Sequence, residues 1–91
     1  MPRMTVSELD RAVTRRLRVA MADVGIGARD LCEVLDRPPL AVHALLSDRR
    51  KRAPMTCGQF AVLACFLAER GVRLGYLLTG QGPIRQEGQG A

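Results

Sequence analysis

A chain of 91 residues and 9.9 kDa holds one small domain, and at this size folding leaves much apolar surface uncovered, so a partner such as a second copy is expected. Its 14 Lys+Arg against 9 Asp+Glu give a net charge of +5 and a pI near 10.1, a basic excess that suits an anionic partner. The longest apolar run, Phe60–Ala68, is far short of a membrane span, and the opening MPRMTVSELDRAV carries acidic residues where a secretory leader would be apolar.

In chain order, residues 1–6 are expected to form a flexible arm, and Ser7, with Asp10 three residues on, is expected to cap the first helix. Val6, Leu9, Val13, Leu17, Ala20, Met21 and Val24 then step by three and four along one inward stripe. Arg11, Arg15 and Arg18 share another face, with Arg16 at the apolar edge. Gly25-Ile26-Gly27 ends the helix. A short second helix is predicted over Ala28–Leu35 with Leu31, Val34 and Leu35 inward, and Asp36-Arg37-Pro38-Pro39 breaks it. Pro39 suits the first position of a third helix running to about Leu46, with Val42 and Leu45 inward.

The stretch SDRRKRAP, Ser47 to Pro54, is a polar loop with four consecutive cations, Arg49 to Arg52. Thr56 and Gln59 predict a capping box for a fourth helix with Phe60, Leu63, Ala64 and Leu67 as its core stripe, and Val62, Cys65 and Phe66 widening it nearly all round. Gly71 ends that helix, and Val72–Leu78 reads as a last short one closed by Thr79-Gly80. Residues 7–80 thus form the domain, and residues 81–91 are expected to be too polar and glycine-rich to order themselves. The fold class is all-α, a compact bundle of about five short helices. Cys32, Cys57 and Cys65 have no CxxC spacing and are expected as small core hydrophobes in a reducing cytoplasm. With His43 as the single histidine, no enzyme, cofactor, metal or small-molecule substrate is expected.

The informative stretch is ARDLCEVLDRPPLAVHALLSD, Ala28 to Asp48. Two short helices across a tight turn form a helix-turn-helix, whose second helix can enter a DNA major groove. Cys32 supplies a small residue at the crossing, Asp36 tolerates the positive φ of the turn, and Leu31, Leu35, Val42 and Leu45 face inward.

From Leu9 to Pro83 the sequence resembles the phage-repressor and Cro-like helix-turn-helix family. Leu31-Cys32-Glu33-Val34-Leu35-Asp36 is similar to the family's Leu-Ala-Glu-x-Leu-Gly, and Val42-x-x-Leu45 to its Ile-x-x-Ile. Tyr76-Leu77-Leu78-Thr79-Gly80-Gln81-Gly82-Pro83 is similar to a Trp-Leu-Leu-Thr-Gly-Glu-Gly-Pro ending. The resemblance implies a homodimeric regulator in the cytoplasm of a bacterial host, associated with its nucleoid, which occupies double-stranded operator DNA and excludes polymerase. The helix from Pro39 would read the groove with Leu40, His43, Ala44 and Ser47, while Arg29, Arg49, Arg50, Lys51 and Arg52 would hold phosphates. Val62, Phe66 and Tyr76 are the candidate dimer contacts. The sequence departs from the family where polar readers are usual: Leu40 and Ala44 offer no hydrogen bonds, and Ala28 replaces a phosphate-binding glutamine. An apolar recognition face also fits a second reading, a helix-turn-helix repurposed to bind protein, as in an antitoxin or anti-repressor.

Overall fold

Helix boundaries in this chain are set by caps. The computed structural model describes residues 5–47 and 55–86, and over them the chain forms α1 (Val6–Val24), α2 (Ala28–Leu35), α3 (Pro39–Leu45), α4 (Cys57–Ala68) and α5 (Leu74–Thr79). Among the described residues no strand forms, only an isolated bridge between Val72 and Arg85. The all-α bundle of five helices is therefore the architecture.

The N-cap of α1 is Thr5 rather than Ser7. Its hydroxyl accepts the Glu8 backbone N–H at 3.1 Å, and the earlier start puts the Glu8 carboxylate in the first turn, where the helix dipole favours it. Gly25 closes α1 in the left-handed conformation at φ 75. The capping box of α4 forms as the sequence predicts. Thr56 and Gln59 exchange bonds of 2.9 and 3.1 Å. Gly27 caps α2 in a different way: the Asp30 carboxylate accepts its N–H at 2.8 Å.

The core gathers Leu17, Ala20 and Met21 of α1, Leu31 of α2, Val42 and Leu46 from α3 and its cap, Leu63 and Leu67 of α4, and Val72 and Leu77 around α5. Several inward expectations are corrected. Val6 is 87% exposed and Leu9 stands partly in solvent. A helix of 19 residues is about 28 Å long, and its first turn runs out past the elements that cover its middle. Val34 is exposed because the short α2 buries only the line of Leu31, with Cys32 and Leu35 half-covered beside it. Cys57 and Cys65 are exposed and only Cys32 is half-buried, so two of the three cysteines are not core residues.

The expected tail is ordered as far as it is described. Gly71 and Ile84 carbonyls accept the N–H groups of Gln86 and Arg73 at 2.8 Å each, and Arg85 pairs with Asp23 at the end of α1 at 2.9 Å. Arg73 also donates to the Pro83 carbonyl at 3.0 Å. Half-buried Ile84 packs against the core, an apolar anchor within the polar composition.

Arg16 joins α1 to α5 by donating to the Leu77 carbonyl at 3.2 Å. Gly80 follows at φ 74, and a Cβ there would lie 2.8 Å from Arg16 Nε. Gly80→Ala is therefore expected to cost about 1–2 kcal/mol, from the left-handed conformation and the displaced guanidinium. Thermal or urea denaturation checks it, and an unchanged midpoint would contradict the assignment.

Candidate nucleic-acid interface

The connection between α2 and α3 determines what α3 shows to solvent. Asp36 ends α2 in the left-handed conformation at φ 53, the one non-glycine residue with positive φ among the described residues. Its N–H bonds the Glu33 carbonyl, and that of Arg37 bonds the Cys32 carbonyl at 3.0 Å. Pro38 is the extended N-cap of α3 and Pro39 its first residue, a position where the missing N–H costs nothing. With the chain so constrained, Val42 and Leu46 point into the core while Ala41 and Leu45 are half-covered.

The opposite face carries Leu40, His43 and Ala44, all exposed, with Pro39 beside them. Leu40 is 84% exposed and adds nothing to the core. Ser47, expected on the same face, lies past the end of α3 and is half-buried, so the readable face is one residue shorter. Arg29 is exposed in the first turn of α2. Arg49, Arg50, Lys51 and Arg52 lie outside the described residues, as does residue 3 of the expected arm.

Sequence reasoning passed over Arg37, which is exposed in the turn directly before α3. The signal was present: the residue before a proline is held out of the helix, so Arg37 falls in the exposed turn and not on α2. Arg29 and Arg37 share this surface with Asp30, Glu33 and Asp36. The described part is therefore not basic on balance, and any attraction for phosphate depends on the four cations that follow α3 in sequence.

The expected dimer contacts are divided. Val62 is partly exposed on α4. Phe66, one turn on, packs against the core and is capped by the Arg70 guanidinium, 3.8 Å from the ring centroid. Tyr76 is half-buried on α5 against the core. A separate apolar groove of about 250 Å³ lies between the start of α1, the start of α4 and the end of α5, lined by Val6, Leu9, Val13, Met55, Phe60 and Leu78 among others. No described helix is long and apolar enough to cross a membrane, and among the described residues no group of three or more His, Cys, Asp or Glu is placed to hold a metal ion.

No protein-family model, curated protein or solved structure matches the chain.

If Leu40 has no folding role, Leu40→Ala is expected to shift stability by less than about 0.5 kcal/mol, whereas Leu31→Ala, fully buried between α2 and its neighbours, is expected to cost about 2–5 kcal/mol. Denaturation of the two variants side by side checks this, and a destabilised Leu40→Ala would show that α3's outer face is covered in the native fold.

Proposed function

We propose that the chain is a DNA-binding transcriptional regulator in which α2, its turn and α3 act as a helix-turn-helix, α3 entering the major groove. The observation that carries this reading is the geometry of the pair. A short helix, a left-handed turn at Asp36 and a proline-started second helix pack through Leu31 and Val42, leaving one whole face of α3 uncovered. The repressor-like motifs in the sequence support it, as does the net charge of +5. Phosphate contacts come from Arg29, Arg37 and the run Arg49 to Arg52, and they supply salt-dependent affinity that is blind to sequence. His43 is the reading face's hydrogen-bonding side chain. A homodimer occupying a two-fold site would block polymerase sterically in the cytoplasm of a bacterial cell.

A protein-binding role for the same face is the second reading. The near-complete exposure of Leu40 favours it, since exposed apolar residues next to one another mark contacts.

Filter or anisotropy binding to random-sequence duplex over a salt series tests the first reading. Replacing Arg49 and Arg50 together by Ala is expected to weaken binding to all duplexes and reduce the salt slope by about 2, roughly 0.9 for each phosphate no longer neutralised. An unchanged slope would remove the run from the interface.

A further inference from the structure

We propose, resting on the DNA-binding reading above, that the outer face of α3 recognises the 5-methyl group of a major-groove pyrimidine, supplied by thymine or by 5-methylcytosine. Base edges in the major groove are read either by side chains that hydrogen-bond in pairs, such as Arg, Asn and Gln, or by apolar contact with the methyl group that projects from a pyrimidine. The exposed face of α3 has none of the first kind. Leu40 and Ala44 stand four residues apart, hence one above the other on the same side of the helix. Their apolar surface is free because the inner side of α3 is formed by buried Val42 and Leu46 with half-covered Ala41 and Leu45. Between them His43 offers one ring edge for a single hydrogen bond.

The charge of the whole chain, +5, favours nucleic acid as the occupant of this face. Arg29 and Arg37 are offset by Asp30, Glu33 and Asp36, and the excess comes from cations elsewhere in the sequence, the run Arg49 to Arg52 that follows α3 among them. Without paired hydrogen bonds, α3 cannot discriminate guanine or adenine strongly. Its discrimination falls on whether a pyrimidine carries a methyl group, and in a duplex the C5 position of thymine and of 5-methylcytosine is the same place in the groove.

The test uses the full chain. Its tightest duplexes are selected from a random pool and remade with deoxyuridine for thymidine, which removes the methyl and keeps every hydrogen-bonding edge. Affinity is expected to fall about fourfold for each methyl contacted. In Leu40→Ala the ratio between the thymidine and deoxyuridine duplexes is expected to shrink; a full ratio in the variant would overturn the assignment to Leu40. A second pair of pools, with cytosine or with 5-methylcytosine throughout, identifies the source: tighter binding of the methylated pool points to 5-methylcytosine. Equal affinities in both comparisons, for a chain that does bind duplex, overturn the methyl proposal and leave DNA binding intact. No binding to any duplex at low salt overturns the DNA-binding reading and the methyl proposal with it, and leaves the exposed face to a protein.

Discussion

The three-residue connection Asp36-Arg37-Pro38 is the constraint on which the outer surface of α3 depends. An aspartate in the left-handed region reverses the chain, and a proline pair then fixes the extended step and the first helical residue. Little conformational freedom remains to decide which way α3 faces. Its register follows: Val42 falls onto Leu31 and the core, and Leu40, His43 and Ala44 fall outward. A different turn would rotate the helix and change which of its side chains meet solvent.

The core could be read in advance wherever a hydrophobic stripe coincided with an element fully covered on that side. Leu17, Ala20 and Met21 in α1, Leu31 in α2, Val42 in α3 and Leu63 and Leu67 in α4 are all buried as their spacing predicts. Caps were legible for the same local reason: Thr56 with Gln59, Gly25 and Asp36 each carry the chemistry their position needs. What periodicity cannot supply is where coverage stops. Val6 and Leu9 continue the α1 stripe in register, yet the neighbouring helices do not close over the first turn. Cys57 and Cys65 lie on a helix apolar nearly all round, whose sequence gives no hint of which side meets solvent. The tail was obscured by composition, because one half-buried isoleucine, two backbone bonds and the Arg85–Asp23 pair are enough to hold residues that look unfoldable by average polarity.

The candidate site was legible in part. The sequence placed Arg29, Leu40, His43 and Ala44 on exposed positions, and the structure keeps them there. It extended the face by helical spacing to Ser47, which lies past the end of α3 and is half-buried. It missed Arg37, which lies exposed in the turn between α2 and α3. The molecule also keeps two apolar exposures of different kinds: the outer helix face of Leu40 and Ala44, and a groove around Val6 and Leu78 bounded by α1, α4 and α5. The nucleic-acid reading is placed on the first because it belongs to the second helix of a helix-turn-helix pair and because the run Arg49 to Arg52 follows it in sequence.

The most direct measurement is a backbone amide NMR titration of the labelled chain with short duplex DNA at low salt. The account predicts that the largest shifts fall on Arg29, Arg37, Leu40, His43 and Ala44, while Val6, Leu9 and Leu78 around the groove stay in place. Shifts centred on the groove, or none at all, would contradict the assignment of α2 and α3 as the DNA-reading surface.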